Sequence, residues 1–156
     1  MPVEQPRIAS RFLQPGHLVI ATEPMQVTTI LGSCVAVCLF DTTKRIGGIN
    51  HFMLPIASSR TTSSARFGDV AMNELINGVR NAGARLPFLQ ARVFGGASMF
   101  NDVRTTIATL GQKNAELALD FLARFGVDIV EIDTGGNRGR KLVYRTDEGT
   151  VCLKSI

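Results

Sequence analysis

A layered α/β arrangement, with two helices packed on one side of a substantial sheet, is the fold class this sequence predicts. Three observations point there. Runs rich in β-branched and apolar residues alternate with turn signals at both ends of the chain, two segments between them carry apolar residues at helical spacing, and no internal repeat divides the chain. At 156 residues the chain suits one domain, and a globular domain of this size buries roughly 70% of its extended surface. Its composition, 45% hydrophobic and 19% charged, is that of a compact protein. Residues 1–156 are therefore expected to form a single domain.

Residues 1 to about 16 read as a tail closing at Pro15-Gly16, with 1–13 expected to be flexible. His17 to Ala21 reads as a first strand. After the break at Glu23-Pro24, the β-branched run Val27-Thr28-Thr29-Ile30-Leu31 predicts a second, then Gly32-Ser33 turns the chain into Cys34 to Phe40. Asp41 to Lys44 makes the next turn and Ile46 to Leu54 another strand. Pro55 to Phe67, rich in Ser, Thr and Arg, has the composition of a surface loop. Met72, Leu75, Ile76 and Val79 fall at helical spacing, with Asp69 suited to the positive first turn and Gly83 just past the end. Phe88 to Phe94 returns to strand before Gly95-Gly96. A second helix shows Ala118, Phe121, Leu122 and Phe125 on one stripe, closed by Gly126. Val127 to Ile132, Lys141 to Tyr144 and Val151 to Lys154 are the last strands, and Asp147-Glu148-Gly149 turns the chain between the latter two. Strands, helix, strand, helix, strands make a layered domain.

Composition excludes several classes of function. The longest apolar stretch, Val35 to Phe40, is far short of the roughly 20 residues a membrane span requires, and Met1 to Pro6 is polar and proline-bearing. No membrane insertion is expected. The three cysteines, Cys34, Cys38 and Cys152, are an odd number and too few for a disulfide framework, which suits free thiols in a reducing, cytoplasmic compartment. The net charge of +4 is spread over Arg60 and Arg66 in one loop and Arg138, Arg140 and Lys141 near another. One Tyr and no Trp make a poor stacking platform, so nucleic acid is not an expected partner. A mild basic field can still steer the chain toward an acidic protein.

The chemistry-bearing candidates are few. Cys34, in Leu31-Gly32-Ser33-Cys34, and His51, in Asn50-His51-Phe52-Met53-Leu54-Pro55, each lie where a turn meets an apolar run. A thiol whose pKa is lowered or which has a base nearby is a strong nucleophile, and an imidazole can take its proton and return it to a leaving group. A free cysteine is also often a small buried hydrophobe. Cys38, inside Val35 to Phe40, and Cys152, between Val151 and Leu153, read as core. His17 lacks a polar cluster and reads as a structural or surface residue. Thr28 and Thr29 precede the Cys34 turn, and a hydroxyl or carbonyl there could orient the imidazole, although threonine is also ordinary strand material. Cys34, Cys38 and His51 lack the paired spacings of zinc modules, so no metal is expected. Asp133-Thr134-Gly135 is similar to the active-site turn of aspartic proteases, a chemistry that needs two carboxylates sharing a proton; a glycine-rich turn bordering a cleft is the preferred reading. Neither Gly95 to Phe100 nor Gly136 to Gly139 has the spacing of a phosphate loop.

Taken in order, Pro15-Gly16, Val27 to Val37, Asn50 to Pro55, Gly95-Gly96-Ala97-Ser98-Met99-Phe100 and Asp133 to Arg140 resemble the CheD family, the chemoreceptor glutamine deamidases. The resemblance runs from about residue 14 to the end of the sequence. It implies an α+β fold in three layers, β/β/α, a β-sandwich with two main helices packed on one side. It places a catalytic nucleophile on Cys34, a general base on His51 and a supporting threonine on Thr28. It implies conversion of receptor glutamine to glutamate through a cysteine thioester, with receptor methylesterase activity as a second property and no cofactor. The partners it implies are the cytoplasmic region of chemotaxis receptors and a CheC-type phosphatase. The alternative is an adaptor of the same fold that binds these partners without turnover; a second is an amidase or protease with another substrate.

Overall fold

The computed structural model describes residues 7–57, 64–98 and 109–156. Arg60, Met99, Phe100 and most of Asn101 to Leu110 lie outside these, as do Met1 to Pro6. The elements are β1 (Ala9–Phe12), β2 (Leu18–Ala21), β3 (Met25–Leu31), β4 (Val35–Asp41), β5 (Gly47–Asn50), α1 (Gly68–Asn81), β6 (Leu89–Gly95), α2 (Leu110–Arg124), β7 (Asp128–Thr134), β8 (Arg140–Arg145) and β9 (Thr150–Ser155). A four-stranded sheet has the order β1-β3-β8-β9, and a five-stranded sheet the order β2-β5-β4-β6-β7.

Two cores make this a three-layer β/β/α domain. Alternate residues of β4 divide between them. Val35, Val37 and Leu39 face the helices, joining Met72, Leu75, Ile76 and Val79 of α1 and Ala118, Phe121 and Leu122 of α2. Ala36 and Cys38 face the other sheet, joining Val27, Leu31, Leu142 and Tyr144. A strand covered on both faces needs no polar alternation, which explains the unbroken apolar run from Val35 to Phe40. Full burial of each large side chain here contributes roughly 1.5–3 kcal/mol. Tyr144 keeps its hydroxyl satisfied by donating to the Leu39 carbonyl at 2.7 Å.

Both helices end at residues suited to it. Gly83 follows α1 with φ +117°, and Gly126 follows α2 with φ +68°, the left-handed region glycine tolerates best. At its start α2 carries a reciprocal capping box between Thr109 and Gln112, which satisfies two otherwise orphaned N–H groups. Phe125, expected on the buried stripe, is instead the residue after the helix, half exposed and stacked on Phe121 at 5.0 Å between ring centroids. Among the described residues no helix is long and apolar enough to cross a membrane.

Two expectations need correction. The N-terminal tail is shorter than expected, because Ala9–Phe12 forms β1, paired in parallel with β3, and Leu13 is buried between the sheets. Every side chain of β1 is exposed, so the strand is held by backbone hydrogen bonds and leaves no apolar pattern to read. Cys152, expected in the core, is exposed; its neighbours Val151 and Leu153 are the residues of β9 that pack inward.

Candidate active site

His51 and Cys34 are brought together by the register of β4 and β5. Cys38 pairs with Ile49, and the same register continues past the end of β5 to Val35 opposite Phe52, where each N–H donates to the other's carbonyl at 3.0–3.1 Å. Between these points Asn50 turns its side chain inward, so that Val37 N–H donates to Asn50 Oδ1 at 2.9 Å. In this register Ala36 stands opposite His51 and Cys34 opposite Met53. Cys34 and His51 are therefore diagonal neighbours on one face, within reach of a long side chain. That face looks into the space between the two sheets.

His51 is held through its backbone carbonyl and through one ring nitrogen. Gly16 N–H donates to the His51 carbonyl at 2.8 Å, which gives the Pro15-Gly16 turn a positional purpose. Thr29 Oγ1 lies 2.7 Å from His51 Nδ1 and donates its own proton to the Leu13 carbonyl at 2.8 Å. A hydroxyl has one proton to give. With that proton committed to Leu13, the bond to the ring requires Nδ1 to be the donor, and the Nε2 lone pair is left free. Nε2 is buried and has no hydrogen-bond partner among the described residues. The hydroxyl in contact with the ring thus belongs to Thr29 and not to Thr28, which the resemblance had singled out. Successive side chains of a strand point to opposite faces; Val27, Thr29 and Leu31 are buried, and Thr28 lies on the outer face.

Cys34 is half-buried in a tight turn whose carbonyls are all engaged. Gly96 N–H donates to the Cys34 carbonyl at 2.8 Å and Ala97 N–H to that of Gly32 at 2.9 Å. Gly95, with φ +109°, comes so close that a Cβ there would stand 2.2 Å from the Cys34 carbonyl oxygen. On the far side of this segment Gly111 of α2 packs backbone to backbone, and a Cβ on it would meet the Gly96 oxygen at 2.3 Å. This close approach lets Asn114, one turn further along α2, donate to the Ser33 and Met53 carbonyls, both at 3.0 Å. One buried amide therefore ties the residue before Cys34 to the residue two beyond His51. The sequence reading missed Asn114, and its signal, a lone asparagine three residues after a glycine on a helix, is weak without the fold.

Electrostatics set the protonation state of the pair. Burial holds His51 down at about 4, and pushes the Cys34 thiol up, opposed by the residue's own backbone N–H. At neutral pH the resting pair is a neutral thiol beside a neutral imidazole. Cys38 is fully enclosed and burial pushes its thiol far up, which suits packing. His17 is exposed. Asp133 pairs with Arg140 at 3.0 Å, and the turn after it adjoins the Cys34 support, with Gly135 N–H donating to Gly95 at 2.9 Å and Ser98 N–H to Gly136 at 2.8 Å. Among the described residues no cluster of three His, Cys, Asp or Glu could hold a metal ion.

A cysteine with a base beside it suits acyl transfer, and comparison with known proteins narrows the field. The family described as CheD chemotactic sensory transduction matches residues 53–155. A probable chemoreceptor glutamine deamidase CheD 1 from Anaeromyxobacter dehalogenans is 44% identical over 148 residues, 95% of this chain and 85% of that protein. The chain belongs to the CheD family. Two further CheD relatives, each also named a probable chemoreceptor glutamine deamidase, are 40% identical (Trichlorobacter lovleyi) and 35% identical (Sulfurimonas denitrificans), each over 94% of this chain and at least 90% of its own length. The match of the CheD family itself begins two residues after His51, whereas the pairwise similarities cover nearly the whole chain.

Proposed function

We propose that this CheD-family chain hydrolyses the side-chain amide of glutamine residues on chemotaxis receptors, with Cys34 as nucleophile, His51 as acid and base, and Thr29 as the residue that orients the imidazole. The observation that carries the reading is the unpartnered Nε2 of His51 on the same strand face as the half-buried thiol of Cys34, its diagonal neighbour. As Cys34 Sγ attacks the amide carbon, its proton passes to Nε2 and the carbonyl π electrons move to oxygen, so the neutral reactants become a sulfur-bonded tetrahedral oxyanion and an imidazolium. The imidazolium then protonates the departing nitrogen, and ammonia leaves a γ-glutamyl thioester. Water gives a proton to Nε2 as it attacks this thioester, and collapse returns the thiol with glutamate as product. The developing oxyanion needs donors; the Cys34 backbone N–H, adjacent to the reacting sulfur, is the first candidate.

A γ-glutamyl methyl ester presents the same carbonyl, so receptor methylesterase activity is a natural extension of the same site. The cytoplasmic part of the receptor is the expected partner, and a CheC-type phosphatase would be a second. Mass spectrometry of receptor peptides after co-expression tests the reading. The wild-type chain should convert defined glutamines to glutamate, Cys34→Ala should abolish conversion, and Cys38→Ser should retain it. Receptors that bind the wild-type chain yet keep every glutamine would instead identify an adaptor.

A further inference from the structure

The outer face of the four-stranded sheet carries uncompensated positive charge beside the Cys34 turn. The ladder sets Ile30 against Lys141 and Lys141 against Lys154, so these side chains form one row across β3, β8 and β9. Their neighbours Leu31, Leu142 and Leu153 point the other way, toward the inter-sheet core. Both lysines are exposed, as is Ile30 at 48%. Like charges directly opposite one another on an antiparallel pair are destabilising, and among the described residues neither lysine has an ion-pair partner. The contrast within the same strand is sharp, because Arg145 at the other end of β8 is paired with Asp147 and Glu148.

The position of this charge relative to the thiol matters as much as its sign. Only one further ladder row, Leu31–Arg140–Ser155, separates the lysines from Gly32-Ser33-Cys34. At the same end of the sheet, around the strand ends on the side to which Leu153 points, a groove of about 440 Å3 is lined by Asn137, Arg138, Leu153, Ser155 and the Asp133–Arg140 ion pair. Arg138 is exposed and has no carboxylate partner among the described residues. Ile156, 59% exposed, packs against Gly139 beside it. Cations and exposed isoleucines are thus interleaved on one approach to the nucleophile.

We propose that this face docks an acidic, partly apolar segment flanking the target glutamine of the protein substrate, with partner carboxylates between Lys141, Lys154 and Arg138 and apolar side chains on Ile30 and Ile156. The inference rests on the reading that the substrate glutamine belongs to a protein. Opposed lysines that weaken the free sheet gain a compensating charge in the complex, so binding is favoured and steered by electrostatics.

Binding of a purified chemoreceptor cytoplasmic fragment, measured at low and high salt in a Cys34→Ala background, tests the surface without turnover. Lys141→Glu with Lys154→Glu should weaken binding by about tenfold or more and flatten its salt dependence. Lys44→Glu, an exposed lysine in the β4–β5 turn of the five-stranded sheet, at the end of β4 away from Cys34, should leave both unchanged. Melting temperature and Cys34 alkylation rate, read on lysine variants that keep Cys34, establish that the fold and site are intact. Unchanged affinity in the double variant, no binding by the parent protein, or lysine-dependent capture of phosphatidylserine vesicles in place of the fragment would each overturn the proposal. Lysine-dependent binding to a receptor that the wild-type chain never deamidates would keep the surface and sink the deamidase reading; turnover with lysine-independent binding would do the reverse.

Discussion

Thr29 Oγ1 accepts a hydrogen bond from His51 Nδ1 at 2.7 Å while donating to the Leu13 carbonyl at 2.8 Å. This relay fixes the imidazole tautomer through a strand the residue pattern does not announce. Leu13 is held there by its own N–H, which donates to the Thr28 carbonyl at 2.8 Å. Backbone pairing near the start of the chain therefore decides which nitrogen of the proposed base is free.

Thr29→Val should lower deamidation roughly tenfold or more, since a base in the wrong tautomer is a poor one. It should also cost about 1–3 kcal/mol, because a buried carbonyl and a ring nitrogen lose their partner. Thr28→Val, on the outer face, should leave turnover near wild type. Receptor-peptide mass spectrometry and urea melts of the two variants make the comparison, and the opposite ranking would return the orienting role to Thr28.

The pH profile should carry the mark of His51. With its value held at about 4, the imidazole stays neutral and competent as a base through mildly acidic pH. The acid limb of kcat/KM should then fall well below the 6.5 of an ordinary histidine. For stability the sign follows from the depressed value. Unfolded histidine takes up a proton below 6.5 that the folded site refuses until about 4. Stability is thus fully present above 6.5 and is lost as pH falls toward 4, by ~3 kcal/mol in all. Urea midpoints of wild type and His51→Asn between pH 7 and pH 5 should diverge in slope, and parallel slopes would show an unperturbed imidazole.

Asn114→Leu should damage the site from a distance. The variant removes the only side-chain donor shared by the Ser33 and Met53 carbonyls among the described residues, leaving both to seek water in a site that Asn114 occupies with no exposure. A loss of about 1–3 kcal/mol is expected. Turnover at a temperature where the variant remains folded should fall through kcat more than KM, and the rate of Cys34 alkylation should change with it. Normal kcat in the folded variant would reduce Asn114 to a packing residue.

Much of the domain was legible because its signals are local. The apolar run from Val35 to Phe40, the helical spacing of Met72, Leu75, Ile76 and Val79, and the turns at Gly83 and Gly126 each reflect forces acting within one element. What escaped depends on partners far away in the chain. β1 buries none of its side chains, and Asn114 meets Ser33 across 81 positions.

For this protein the sequence alone determined the layered class and the two helices, and it singled out Cys34 and His51 as candidates, because strand and helix periods and glycine-bearing turns are written in neighbouring residues. Only the tertiary structure decided that Thr29 and not Thr28 meets the imidazole, that Leu13, just past β1, completes the relay and that Asn114 ties the two turns together. Val27 to Leu31 has β-branched or apolar residues on both of its faces, so its pattern cannot say which threonine points inward. Packing of the second sheet against it supplies that answer.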